Sequence, residues 1–346
     1  MTRAHSDAPI RGGDGDSPRS VVPGLVSIIL VNRNGGPWID SICPAIERQT
    51  YSDHEVIVVD NDSTDDSVSR IRARLPRVSV IELHRNTGFS AALNSGIRAA
   101  RGEFILSLNF DVTLEPTFIG VLAATLRQYT DVGWAAGALR RLTPAGPVDE
   151  IDCNGHYFLP SRYVYGCDPA RHRPADYPNE ADVFGASACA AMYRRSMLEA
   201  LAIHGQVFDE DLFAYFEDVD LDWRAQQAGY RCLFVPSAIG AHARGGGGHA
   251  DRPEGAALIL SNRFLVMLKN DEVRDIWKDL SPIVRRTLAD VRSSVRRKQT
   301  KALWLAAGRV VRLAPRMLSK RRLIRRMRRG DHSPVSRFRM QTTFLG

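Results

Sequence analysis

The 346-residue chain is poor in the features that mark special classes of protein. Its five cysteines (Cys43, Cys153, Cys167, Cys189 and Cys232) are odd in number, scattered, and form no CxxC pair. That argues against a disulfide framework or a zinc site and for a reducing compartment. No apolar run approaches the roughly 18 residues needed to span a bilayer. The opening MTRAHSDAPIRGGDGDSPRS has no apolar stretch of the kind a signal peptide needs, so residues 1–24 are expected to form a disordered leader. No GxGxxG follows the first strand-like run, which leaves a dehydrogenase-type dinucleotide site with little support. Excess positive charge is also missing from most of the chain. The net charge is +8, yet Arg285–Arg329 alone holds 17 Lys and Arg against one acid, Asp290, so the remainder is net acidic. A nucleic-acid or membrane partner would have to meet that C-terminal stretch.

What is present reads as a soluble globular protein of about two domains, with 44% hydrophobic and 25% charged residues. LVSIILV (25–31) and HEVIVVD (54–60) are short, β-branched, almost unbroken apolar runs, as buried parallel strands are. VSVIEL (78–83) and GEFILSLN (102–109) follow, with helix-like segments between them. The order β-α-β-α-β-α-β over 25–111 predicts a doubly wound α/β sheet. Ser63 or Thr64 is expected to cap the second helix, with Asp65 and Asp66 in its first turn. A helix is predicted over 117–129, strand-like pieces over 132–143, a long loop region over 144–182, and another strand at RCLFVP (231–236). Residues 251–330 read as a helical basic region and 331–346 as a disordered tail.

Ligands of open α/β sheets bind beyond the carboxyl ends of the strands. Those ends here are NRN (Asn32, Asn34), DNDS (Asp60, Asn61, Asp62), RNTG (Asn86, Gly88) and NFDV (Asn109, Asp111). Short polar side chains in these places suit a sugar nucleotide. Asp111, just past a buried strand, could bind a divalent cation bridging two phosphates, since magnesium and manganese prefer oxygen ligands. A simple Asx turn is the plainer reading. Asp60–Asp62 could hold a ribose or a base edge, or cap a helix. Gly88 permits close approach or positive φ, and Asn94 could face a diphosphate or base.

The stretch FAYFEDVDLDWR (213–224) puts Glu217, Asp218, Asp220 and Asp222 among aromatics. On a helix, Asp218 and Asp222 share a face, and so do Asp220 and Arg224, which also reads as a plain salt bridge. Acids in a first turn commonly just suit the helix dipole. The aromatic wall of Phe213, Tyr215, Phe216 and Trp223 points instead to a partly desolvated carboxylate able to act as a general base. His242, after a strand and before a glycine run, is either structural or part of a metal site.

Taken in order, VSIILVNRN, HEVIVVDNDSTDDS, NTGFSAALNSGIRAARGEFILSLNFDV, GASACAAMYRRSML, FDEDLFAYFEDVDLDWRAQQAGYRC and AHARGG resemble the GT-A fold, family 2 glycosyltransferases, in particular the bacterial rhamnosyltransferase-like branch. The resemblance covers about residues 25–250. It implies that Val31, Asn32 and the Asp60–Asp62 loop contact the nucleotide and ribose. Asn109-Phe110-Asp111 occupies the place of the DxD motif, with Asp111 as metal ligand, and the Asn leaves one carboxylate fewer for the ion. His242 matches a histidine that joins the metal or diphosphate in relatives. Asp218 matches the catalytic base, Glu217 helps to position it, and Asp220 and Asp222 are structural. GQVFDED replaces the usual GGFDE, a departure on the acceptor side. The implied reaction is an inverting, divalent-metal (Mg or Mn) dependent transfer from a nucleotide sugar such as dTDP-L-rhamnose to a glycan or polyprenyl-diphosphate-linked acceptor. The alternatives are a UDP-sugar donor, or a catalytically silent sugar-nucleotide or membrane-binding protein. In the basic region, Trp277, Leu280, Val284, Trp304 and Val311 alternate with Arg and Lys at helical spacing, which suits an anionic membrane surface. A helical hairpin packed on the catalytic domain is the competing reading, and no nucleic-acid module is recognisable. The expected location is cytoplasmic, peripheral on the inner face of the cell membrane.

Overall fold

The computed structural model describes residues 20–167, 173–244, 252–329 and 333–338. Most of the expected leader, the glycine run after His242 and most of the expected tail lie outside them. The chain opens with β1 (Val22–Asn32), α1 (Ile39–Glu47), β2 (His54–Asp60), α2 (Ser67–Arg74), β3 (Ser79–Glu82), α3 (Phe89–Ala99) and β4 (Gly102–Leu108). β1 pairs in parallel with β2 and β4, and β2 in parallel with β3, as the alternating pattern predicts. β1 is central, and Val26, Ile28, Ile29 and Leu30 are fully buried on both faces. Each such side chain contributes roughly 1.5–3 kcal/mol through burial. Helix α2 starts later than expected. Its first amide, of Ser67, is taken by Asp65, while the Ser63 hydroxyl accepts from Asn32 instead.

The sheet then becomes mixed. β5 (Val112–Leu114), α4 (Phe118–Gln128), β6 (Val132–Thr143), β7 (Gly146–Cys153), the small hairpin β8 (Tyr157–Phe158) and β9 (Val164–Tyr165), β10 (Ala181–Val183), β11 (Ala190–Arg194), α5 (Arg195–Leu201), α6 (Glu217–Gln227) and β12 (Arg231–His242) follow. Strand order along the main sheet is β10-β12-β6-β11-β4-β1-β2-β3, with β7 beside β6 and β5 beside β12. β11 is antiparallel to both β4 and β6, so it joins the two parts of the sheet. The long loop expected over 144–182 is therefore a correction. It holds β7, β8, β9 and β10, whose pairing runs antiparallel to strands far away in sequence or through a short turn, and whose burial is too mixed to show a period.

Two apolar layers cover the sheet, one with α1, α2 and α4 and one with α3, α5 and α6. A third cluster lies on the outer side of α6. There Val219 and Trp223 meet Leu265 and Val266 of α7 (Pro253–Asn270) and Leu313 and Met317 of α10 (Thr300–Met327). Between these lie α8 (Val273–Lys278) and α9 (Leu280–Arg296), and a short α11 (Pro334–Phe338) sets Phe338 against Phe184. The C-terminal helices thus share a core with α6, as in the packed-hairpin reading. No described helix is long and apolar enough to cross a membrane.

Candidate active site

The polar strand ends of the first half interlock. Asn32, fully buried beside Val31 at the end of β1, donates to Asp60 (2.8 Å), Ser63 (2.9 Å) and Ser67 (2.8 Å), and accepts from the Gly35 amide. Asp60 also accepts from the Ser63 amide. Asn61 donates to Asn86 and to the Gly88 carbonyl, and accepts from Thr87. These residues give the loops their shape. The exposed side chains among them are Asn34 and Asp62, both at positive φ (59° and 72°), and Asn86. Gly88, at φ 86°, lies against Phe213, where an added Cβ would sit 2.6 Å from the Phe213 carbonyl oxygen. Asn94 is buried, with its amide engaged on both sides by Phe208 and by Glu210. It ties α3 to the segment that leads into α6.

Asp111 follows β4 and is almost wholly buried. β12 runs antiparallel to β5 and brings His242 Nε2 to 3.4 Å from Asp111 Oδ2. On its other side the His242 ring bonds Asp152 at 2.8 Å, and Arg244 also reaches Asp152. Burial works against charge on this ring, but Asp111 and Asp152 together push its pKa up to about 9. A carboxylate fixing the far nitrogen of a histidine is the arrangement that orients metal-ligating imidazoles. Asp111 and His242 therefore fit a divalent cation that keeps open positions for phosphate oxygens. Among the described residues, no group of three or more His, Cys, Asp or Glu is gathered as a cation site.

Helix α6 begins after a strained loop. Phe213, Tyr215 and Phe216 all have φ near 68°, a region that L residues seldom occupy. Asn262, fully buried on α7, holds this loop by donating to the carbonyls of Leu212 (2.9 Å), Ala214 (2.9 Å) and Tyr215 (2.8 Å). Arg309 of α10 donates in turn to Asn262 and to the Asp211 carbonyl. The result is that the four acids of α6 have different surroundings. Asp220 is fully buried, paired with Lys269 (2.8 Å) and Arg224 (3.0 Å) and bonded by Asn270. Asp222 is fully buried and bonded to His156 Nδ1 at 2.6 Å. Burial and the Asp218 charge push Glu217 well above the usual carboxyl range. Asp218 is partly open, with its side chain 14% exposed, and accepts from the Ala188 and Val219 amides. It is the least buried of the four acids.

The two clusters are linked through shared segments of chain. Cys189, next to Ala188, accepts from the Asn109 amide. A single short stretch carries both Asp152, which holds His242, and His156, whose Nε2 lies 3.7 Å from Asp218. His156 and Asn262 were not singled out from the sequence. Asn262 sits on a helix with no pattern to mark it. His156 directly follows Gly155 in what reads as loop, and only folding brings it to Asp222.

A family model described as glycosyl transferase family 2 matches residues 27–202. The chain belongs to glycosyl transferase family 2. Over 315 residues it is 27% identical to an N-acetylglucosaminyl-diphospho-decaprenol L-rhamnosyltransferase of Mycobacterium tuberculosis, covering 82% of this chain and 99% of the relative. An N-acetylglucosaminyltransferase of Rhizobium meliloti is 31% identical over 226 residues, 62% of this chain and 50% of that one. A mannosyltransferase from Pyrobaculum calidifontis in complex with GDP-Man and Mn2+ superposes with a TM-score of 0.52 at 18% identity, over 90% of this chain and 89% of the other. S. aureus TarS 1-349 does so with 0.53 at 18% identity, over 88% and 86%. The fold is thus the GT-A fold expected from the motifs, and the chain is a glycosyltransferase.

Proposed function

We propose that this glycosyltransferase moves L-rhamnose from dTDP-rhamnose to a polyprenyl-diphosphate-linked glycan by one inverting displacement, with Asp218 as base. The observation that supports this reading is the contrast within α6: one carboxylate stays partly open while its neighbours are enclosed. Asp218 takes the proton of the acceptor hydroxyl. The hydroxyl oxygen bonds to the anomeric carbon as the carbon–oxygen bond to the diphosphate breaks, and its electron pair leaves with the nucleoside diphosphate. Asp111 and His242 would hold a magnesium or manganese ion, which when bound neutralises charge on the leaving group. The rhamnosyl donor and lipid-linked acceptor rest on the Mycobacterium tuberculosis relative, and the metal on the donor set and on the Mn2+ in the Pyrobaculum calidifontis complex.

The partner surface of the acceptor is read as an anionic membrane on the inner face of the cell membrane. Leu280, Val284, Leu288, Val291 and Val295 form one exposed stripe along α9, and Trp277 and Trp304 are 70% and 81% exposed nearby in sequence. Arg285, Arg292 and Arg296 fall on one side of that stripe at helical spacing, as on helices that lie in a lipid interface. Because α10 shares a core with α6, the test uses point changes. Val291→Ser with Trp304→Ser is expected to abolish sedimentation with anionic vesicles at an unchanged melting temperature. Binding that persists would remove the membrane reading.

The function is tested by thermal shift with dTDP-, UDP- and GDP-sugars, each with and without manganese. A metal-dependent rise with dTDP-rhamnose alone is expected, because a ligand bound only to the folded state raises its melting point. A rise with UDP-sugars instead would move the donor assignment. Asp218→Asn is expected to cut transfer by about 10²–10⁴-fold while keeping the thermal shift. Loss of the shift as well would make Asp218 structural.

A further inference from the structure

His156 is buried between two acids of α6. Its Nδ1 is 2.6 Å from Asp222 Oδ2 and its Nε2 is 3.7 Å from Asp218 Oδ2. The backbone keeps it there, for the His156 amide donates to the Gly185 carbonyl at 2.7 Å. Gly185 in turn has to be glycine: a Cβ would fall 1.8 Å from Asp222 Oδ2. The segment behind both acids supplies one amide to each, Ala186 to Asp222 and Ala188 to Asp218. A chain of three side chains therefore runs from the helix interior to the open carboxylate, with its inner end fixed by a glycine contact. We propose that His156 is a positioning residue for Asp218: anchored by Asp222, it holds the carboxylate that takes the acceptor proton. This rests on the reading of Asp218 as base.

The charges make sense of the arrangement. Burial disfavours a charged ring, but Asp218 and Asp222, with Cys153 of β7, bring His156 up to about 9, so it is a cation at neutral pH. The other acid close by, Glu217, is pushed up by its burial and also feels this ring. A cation beside a carboxylate favours its ionised form, the one that can accept a proton. When Asp218 takes that proton its charge disappears, and the ring stays anchored by its 2.6 Å hydrogen bond to Asp222, a carboxyl that burial pushes up to about 7. The histidine thus remains paired before and after transfer, which a single carboxylate would not allow.

The experiment measures kcat, KM for the donor and the pH–rate profile for His156→Gln, Asp222→Asn and Asp218→Asn, each checked by thermal melting and by donor-induced thermal shift. In His156→Gln we expect kcat to fall about 10- to 100-fold at unchanged donor KM, as displaced catalytic groups do. The fall on the alkaline side near pH 9 should vanish. Asp222→Asn should keep that alkaline fall but bring it closer to neutrality, since the ring loses its anchor. His156→Gln with a wild-type profile, while Asp218→Asn is inactive, would overturn the positioning role and leave the base in place. An active Asp218→Asn would instead remove the base reading itself. Should His156→Gln not fold, the Asp222→Asn profile decides alone: an unmoved alkaline limb would rule the role out.

Discussion

The half of the sheet built on β1 to β4 and the half that carries β7, β11, β12 and α6 hold their polar residues in different ways. In the first, partners are closer in sequence and, Asp60 apart, uncharged: Asn32, Asp60, Ser63 and Ser67 lie within one β-α-β unit, and Asn61 meets Asn86 across the next loop. In the second, partners are distant and charged. Asp152 meets His242, His156 meets Asp222, and Lys269 bridges Asp209 and Asp220 from a C-terminal helix. Neutral amide networks cost little when one bond is lost. Buried ion pairs cost much when one partner goes, because the other stays behind uncompensated. The first half should therefore tolerate single changes in stability, while the second should fail as a unit.

The largest break is expected at Lys269. Its ammonium is 1% exposed and lies 2.6 Å from Asp209 and 2.8 Å from Asp220. Lys269→Met leaves two buried carboxylates with less countercharge, and a loss of about 3–5 kcal/mol in urea unfolding is the expected result. Asn32→Ala, its counterpart in the first half, removes four hydrogen bonds, one of them to the Asp60 carboxylate, and should lose about 1–3 kcal/mol. Equal losses at the two positions would erase the contrast.

The pH dependence of stability sharpens the same contrast. His156 is raised from 6.5 to about 9, so its contribution is complete below pH 6.5 and is lost as pH rises through about 9. Asp209 moves the other way. Burial would raise it, yet Lys269 and Lys320 hold it well below the usual carboxylate range. Its contribution is present above about pH 4 and is lost on acidification. Melting temperature should thus fall on both sides of neutrality, and His156→Gln should flatten the alkaline side only. An alkaline slope unchanged by that substitution would mean the ring contributes nothing through its charge.

The two halves also differ in how far the sequence reveals them. β2 is legible to the residue, and β4 and α4 to within one, because buried parallel strands and amphipathic helices leave local periods. The strand-end Asn and Asp residues follow from the same alternation. Asp218 stood out through its aromatic neighbours, and the family motif assigned its role. Asp222 reads as structural from the sequence, and its bond to His156 is not legible there, because the two lie 66 positions apart and no spacing rule connects them. β7 hid in a segment rich in Pro, Asp and Tyr. Asn262 was invisible because a lone Asn in a helix has no pattern to betray that it holds three carbonyls of a strained loop.

The smallest expected effect falls on Asn34 and separates shape from contact within the first half. Asn34 is exposed, sits at φ 59°, and accepts from the Thr64 amide at 2.7 Å. Asn34→Gly gives up that hydrogen bond but makes the left-handed backbone easier to adopt, so stability should change by less than about 1 kcal/mol. If Asn34 only shapes the turn, donor KM stays where it was. If its side chain touches the nucleotide sugar, donor KM rises at unchanged kcat, the sign of an interaction made equally in ground and transition states. The interlocked Asn32 and Asn61 cannot give so clean an answer, since changing either alters the loop before it alters the ligand. Asn34→Gly therefore asks, with little disturbance to the fold, whether the polar strand ends of this half reach the donor or simply hold one another.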